Sequence, residues 1–133
     1  MRFKDKSVII TGGGGKIAKA YAMAFAKEGA KLSLPDIASA DQIVKTIKDM
    51  GGAAISMSCD VSNEKSVRAM VDETVKQFGN VDVLINNAAY FMTVWKGPFW
   101  EMAVDEFDKA MAVNVRGSWL CAKAVVPHMQ KQK

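Results

Sequence analysis

The chain has 133 residues, half of them hydrophobic, and a formal net charge of +4. That is one domain's length with enough apolar material for a core, and no apolar run approaches the roughly 18 residues of a membrane-spanning helix. Residues 1–6 lack the apolar stretch of a signal peptide, and the lysines are dispersed among acidic residues except in the final Lys131-Gln132-Lys133, so the expectation is a soluble cytoplasmic protein without a nucleic-acid partner.

Residues 6–11, Lys6-Ser7-Val8-Ile9-Ile10-Thr11, read as a first strand that is apolar on both faces, as a buried parallel strand is. It breaks into Gly12-Gly13-Gly14-Gly15, and alanine-rich helical periodicity follows at once over residues 16–28. A strand, a glycine turn and a helix N-terminus in succession suit an anion. Glycines let the backbone approach a phosphate, and the free N–H groups and positive end of the helix dipole face it. Two nucleotide motifs are excluded by spacing. A P-loop needs glycine where Ile10 stands and Ser or Thr where Ile17 stands, and Gly-x-Gly-x-x-Gly counted from Gly12 also needs glycine at Ile17. What remains is the looser Thr-Gly-x-x-x-Gly-x-Gly, with Lys16 and Ala18 in place of its second and third glycines.

Within the first helix Ile17, Tyr21, Ala24 and Phe25 form a stripe expected to face a sheet, and Gly29 ends it. A second strand, residues 31–35, leads into Asp36. Ser39-Ala40-Asp41-Gln42 reads as a capping box, with Ile43, Ile47 and Met50 as the buried face of a second helix before Gly51-Gly52. A third strand over residues 53–58 is followed by Cys59-Asp60-Val61. Ser62 is the expected N-cap of a third helix that runs to Phe78 and buries Val67, Val71, Thr74, Val75 and Phe78, and Gly79 stops it. A fourth strand, residues 81–85, enters Asn86-Asn87-Ala88-Ala89. A loop rich in aromatics spans residues 90–101, with Tyr90, Phe91, Met92, Trp95, Phe99 and Trp100. A last helix is expected from about Asp105 through Asn114 to Gln130, kinked by Pro127.

The alternation βαβαβαβ predicts a doubly wound parallel sheet in one α/β domain over residues 1–133, with helices on both faces. The outer edge of the fourth strand is left for something to cover. Cys59 and Cys121 lie in separate elements without metal-ligand spacing and read as buried reduced thiols, so no metal is implied.

Several polar residues fall at strand ends. Asp36, at the end of the second strand, either closes the turn before Ile37 or accepts hydrogen bonds from ribose hydroxyls while repelling a 2′-phosphate. Asp60 either caps the next helix or accepts from an adenine amino group, with Val61 presenting backbone to the ring. Asn86 and Asn87 can satisfy strand-end backbone or contact a cofactor. Asn114 sits among Met111, Ala112, Val113 and Val115, which points to a polar role inside the protein. His128 reads as a surface residue, and neither Tyr21 nor Tyr90 has lysine four residues on.

In order along the chain, Thr11-Gly12 with Ile17, Asp36, Asp60-Val61, Asn86-Asn87-Ala88 and Asn114-Val115-x-Gly117 resemble the N-terminal half of the short-chain dehydrogenases/reductases (SDRs). The resemblance covers the whole sequence. It implies a Rossmann fold of strand order 3-2-1-4, ending after the helix that follows strand 4, and binding NAD in preference to NADP. Gly12, Gly14, Gly15, Lys16 and Ile17 would lie along the pyrophosphate, Asp36 on the adenosine ribose, Asp60 and Val61 at adenine, and Asn87 and Ala88 beside the cofactor. Asn114 matches the catalytic asparagine that holds a proton-relay water through its backbone. The parent reaction would be hydride transfer between nicotinamide and a secondary alcohol or ketone, the aromatic loop favouring an apolar or aromatic substrate. A homo-oligomer formed through the last helix is the expected assembly.

The departures also matter. Lys16 would be strained if its backbone needed positive φ, unless Gly13, Gly14 and Gly15 absorb the turn. Ala18 adds one methyl at the helix–strand approach, and Ala89 replaces the glycine of Asn-Asn-Ala-Gly. The serine and Tyr-x-x-x-Lys that complete the family's catalytic set do not occur in this sequence, so these residues alone are expected to bind cofactor without turnover. The rival expectation is a non-catalytic module or incomplete product that pairs through the fourth strand's edge and the last helix.

Overall fold

The structure is a computed structural model that describes residues 1–91 and 96–132. Met92 and Trp95 of the aromatic loop, and Lys133 of the basic tail, lie outside the described residues. In chain order the elements are β1 (Ser7–Ile10), α1 (Lys16–Lys27), β2 (Lys31–Asp36), α2 (Asp41–Asp49), β3 (Ala53–Ser58), α3 (Glu64–Phe78) and β4 (Val83–Ile85). A short 3₁₀ turn (Phe99–Glu101) then precedes α4 (Val104–Met111), a π-helical segment (Ala112–Gly117) and α5 (Ser118–Gln130).

The four strands form one parallel sheet in the order β3-β2-β1-β4, as the resemblance implied. Val8 pairs with Leu32 on one side and Val83 on the other, so β1 is central and fully buried. Successive residues of β1 feed opposite layers because strand side chains alternate. Val8 and Ile10 pack with Leu32, Leu34, Ala18, Ala22, Ile43 and Ile47 under α1 and α2. Ile9 packs with Val67, Met70, Val71, Leu120, Cys121 and Val125 under α3 and α5. At about 1.5–3 kcal/mol per fully buried aliphatic side chain, these two layers dominate the folding free energy. Among the described residues no helix is long and apolar enough to cross a membrane.

The sheet face of α1 differs from expectation. Ala18 and Ala22 are buried with Phe25 and Ala26 packed beside them, whereas Ile17 and Tyr21 are 60% and 44% exposed. The stripe is rotated by one residue, and small alanines at the contact bring the helix close to the sheet. In α2 the capping box does not form. Ala40 is the N-cap, Ser39 Oγ accepts only from the Asp41 N–H at 3.1 Å, and Val44 rather than Met50 completes the buried face. Asn63 replaces Ser62 as the cap of α3, its side chain accepting from the Ser66 N–H at 3.0 Å. Ser62 is drawn away by Asp60, whose Oδ1 takes both the Ser62 N–H and hydroxyl. Gly79 ends α3 in the left-handed conformation, φ +88°, as expected. His128 is half-buried along the groove between α3 and α5. Cys59 and Cys121 are both free and buried.

Candidate functional site

Parallel strands end on the same side of the sheet, so the order β3-β2-β1-β4 arranges Asp60, Asp36, Gly12 and Asn87 along one edge. An open cleft of about 720 Å³ runs there. Its lining includes Gly12, Gly15, Lys16, Ile17, Asp36, Asp60, Val61, Asn87 and Ala88. Of the sequence-derived cofactor residues only Gly14 is absent from that lining. Its N–H donates to Asp36 Oδ2 at 2.8 Å.

The glycine turn is tied down on both sides. Gly12 has φ +65°, and a Cβ there would stand 3.0 Å from Ala88 Cα, so both its conformation and its surroundings require glycine. Gly13 N–H donates to Pro35 O at 2.9 Å, and a Cβ on Gly13 would come within 2.6 Å of Leu34. Thr11 carries the other half of the support. Its hydroxyl oxygen accepts the N–H groups of Asn87 and Ala88, both at 3.0 Å, and its hydroxyl reaches Ile85 O at 3.4 Å. Asn87 Nδ2 donates back to Thr11 O and Gly12 O. Asn87 therefore lines the cleft while spending its amide nitrogen on holding the turn.

The helix that leaves this turn starts without a cap. Its cap residue, Gly15, has no side chain to bond the N-terminus, and its first turn contains no acidic residue. The opening N–H groups of a helix have no partner within it and carry the positive end of its dipole, so this end is left to meet an anion. Lys16 adds a cation on the same edge. The strain anticipated at Lys16 is absent: among the described residues Asp5 is the sole non-glycine residue at positive φ, and Gly12 alone takes the left-handed turn in this loop. Ala18 is fully buried and its methyl is accommodated, and Ala89 needs no positive φ.

The turn reading of Asp36 holds, and the residue also faces the cleft. Its Oδ1 accepts from the Ala38 N–H at 2.9 Å and closes the turn, while the carboxylate lines the cleft. Asp60 makes the turn into α3 through Ser62, and its own N–H donates to Ser66 Oγ at 3.0 Å. Val61 is buried against Gly117, where a Cβ would lie 2.7 Å from Val61 Cγ2. That contact explains a glycine three residues after Asn114.

Asn114 is placed differently from expectation. Its side chain is exposed rather than interior, because the helix widens into a π segment at that point. Such segments re-aim backbone and side chains and recur at functional sites. Asn114 Oδ1 accepts the Tyr90 N–H at 2.7 Å and Nδ2 donates to Tyr90 O at 3.1 Å, while Asn114 O accepts from Ser118 Oγ at 3.2 Å. Asn86 turns outward and donates to Ser118 O at 3.4 Å. The Tyr90 hydroxyl, which no sequence motif singled out, donates to Glu106 Oε2 at 2.8 Å, and that carboxylate raises the phenol's pKa above its ordinary value. Phe91 of the aromatic loop lines the cleft, as do Ile37, Cys59 and Lys109, which were not foreseen there. Among the described residues no cluster of His, Cys, Asp and Glu could hold a metal ion.

Comparison with known proteins agrees with this geometry. Residues 14–133 match the family described as enoyl-(acyl carrier protein) reductase. An uncharacterized oxidoreductase of Thermotoga maritima is 42% identical over 99% of this chain and 51% of its own length. Among solved structures, NAD⁺-bound xylitol dehydrogenase superposes with a TM-score of 0.90 at 33% identity, covering 99% of this chain and 51% of the other. A short-chain dehydrogenase/reductase from Burkholderia phymatum in complex with NAD gives 0.92 at 31% identity, covering 99% and 47%. The chain thus spans about half the length of these relatives. With its strand order, its glycine turn and these matches taken together, the chain belongs to the short-chain dehydrogenase/reductase family, a family of oxidoreductases that bind a nicotinamide nucleotide in a Rossmann fold.

Proposed function

We propose that this chain is the NAD(H)-binding half of a dehydrogenase or reductase whose reaction exchanges hydride between nicotinamide and a secondary alcohol or ketone. The observation that carries the reading is the convergence, in one cleft, of a glycine turn, an uncapped helix start and a carboxylate at the end of β2. The residues present suit the cofactor: Gly12 leaves the close approach that a side chain would fill, and residues 15–17 offer N–H groups and a cation to a pyrophosphate. Asp36 takes the adenosine ribose and disfavours a 2′-phosphate, which selects NAD over NADP. Asp60 Oδ2, Val61 and Ile37 take the adenine, and Ala88 together with the Asn87 side-chain oxygen borders the rest. When bound, the nicotinamide supplies the hydride or accepts it. The chain's own share is to bind and orient it and to line an apolar wall with Ala89, Phe91, Ala112 and Val113, which suits an aromatic or aliphatic substrate. Two buried, unpaired thiols accord with a reducing, cytoplasmic setting. The 133 residues contain no serine and Tyr-x-x-x-Lys set in family register, so a polypeptide of this sequence binds cofactor and does not turn over.

Titration with NADH, read by tryptophan fluorescence and by calorimetry, tests this. Wild type is expected to bind NADH more tightly than NADPH. A charge-assisted hydrogen bond is worth about 1.5–3 kcal/mol, so D36A loses roughly ten- to a hundredfold toward NADH and narrows the gap to NADPH. A flat titration up to the order of millimolar NADH removes the proposal.

Self-association through the last helix belongs to the same proposal. Val104, Phe107, Met111, Val115 and Trp119 are exposed and lie three or four residues apart along one face. Asp105 and Asp108 stand at its start and Arg116 and Lys123 further along, so a second copy running antiparallel sets acid against base. The same face, with the outer edge of β4, supports a second reading as a non-catalytic interaction module. A monodisperse monomer by light scattering that binds NADH contradicts that second reading.

A further inference from the structure

We infer that Glu106 is a positioning residue for the nicotinamide end of the cleft, acting through Tyr90, which it holds as a fixed wall against the bound dinucleotide. The inference rests on the cofactor-binding reading above and adds a residue that lies outside the cleft lining.

The order of the strands sets the geometry. With adenosine at Asp60 and Asp36, and pyrophosphate at Gly12, the remaining half of a dinucleotide extends past β4, where Ala88, Tyr90 and Lys109 line the cleft. Tyr90 is pinned there from both ends. Its main chain is bracketed by the Asn114 amide, N–H to Oδ1 at 2.7 Å and O from Nδ2 at 3.1 Å. Its hydroxyl donates to Glu106 Oε2 at 2.8 Å. Glu106 is held in turn, since its other oxygen, Oε1, faces Lys109 Nζ at 3.8 Å one turn along α4. The two carboxylate oxygens thus serve different partners, one fixing the phenol and the other a cation on the cleft wall. Residues 106 and 114 sit two turns apart on one continuous helical run, so a single rigid element fixes both the backbone and the ring of Tyr90.

Fixing the ring beforehand spares its ordering when ligand arrives, which is where preorganisation gains affinity. Removing the latch should therefore weaken only the ligand that reaches this end. NADH spans the cleft, whereas ADP stops at the pyrophosphate. With one hydrogen bond and one side-chain ordering at stake, E106A and Y90F are expected to weaken NADH binding about three- to tenfold and leave ADP within about twofold. E106Q, which keeps an acceptor for the hydroxyl, is expected to stay near wild type for NADH. Spectrophotometric titration of the phenols supplies a readout that needs no ligand. Both E106A and E106Q should lower the alkaline midpoint of one tyrosine, absent in Y90F, because the neighbouring carboxylate is gone. Equal losses for NADH and ADP, or no loss for either, overturn the inference, as does a phenol midpoint unmoved in both variants. Wild-type protein that binds ADP and NADH not at all overturns the functional reading instead, and the titration still decides the latch.

Discussion

Replacing Gly12 by alanine separates two demands that this position makes. At φ +65° any residue with a Cβ is in the left-handed region, at a cost of roughly 1–2 kcal/mol. The new methyl would also stand 3.0 Å from Ala88 Cα, 3.2 Å from Ala88 N and 3.2 Å from Asn87 Nδ2. Two of those atoms are backbone of Ala88, whose N–H is held by the Thr11 hydroxyl, so the turn or the segment after β4 must move, and overpacking of this kind costs about 1–3 kcal/mol more. Gly79 is the internal control. It has φ +88°, and a methyl group there would meet nothing within 4 Å, so G79A carries the conformational cost alone. Urea unfolding should show G12A less stable than G79A by about 1–3 kcal/mol. NADH titration should show G12A losing at least about tenfold in affinity and G79A losing none, because only the first displaces the pyrophosphate turn. Equal destabilisation by the two, with NADH affinity intact in G12A, refutes the cradle assigned to this turn.

Ser7 offers a test of the core. Among the described residues its Oγ is buried without a partner, while its N–H donates to Asp82 Oδ2 at 2.8 Å. An unpaired buried hydroxyl costs about 1–3 kcal/mol, so S7A should leave the urea midpoint unchanged or raise it, and a loss of more than about 1 kcal/mol would expose a missed bond. The thiols set an alkaline limit. Burial raises Cys59 and pushes Cys121 up to about 12 from an ordinary 9.0. Above pH 9.0 the unfolded chain releases a proton that folded Cys121 keeps, so stability falls as pH rises from there toward about 12. Ellman's reagent at about pH 8 should label neither thiol quickly in the native protein and both after unfolding. Fast native labelling, or denaturation midpoints that do not fall above pH 9.0, would contradict this burial.

The sequence by itself determined the order of strands and helices, because buried parallel strands read as unbroken apolar runs and glycines stop the helices, as Gly79 does. It also placed Gly12, Asp36, Asp60 and Asn87 at the cleft, since a parallel sheet must bring the ends of its strands to one side. Only the tertiary structure decided which face of α1 is buried, because Ile17 and Ala18 differ by a rotation of about 100° and the closeness of helix to sheet selects alanine. Periodicity alone favours the larger residue. Caps behaved similarly: Ser62 and Asn63 are equally good caps by chemistry, and competition from Asp60 gave the role to Asn63. The link from Glu106 to Tyr90 to Asn114 was not legible at all. It joins a loop to a helical run across 16 and 24 residues, contacts that no local pattern encodes.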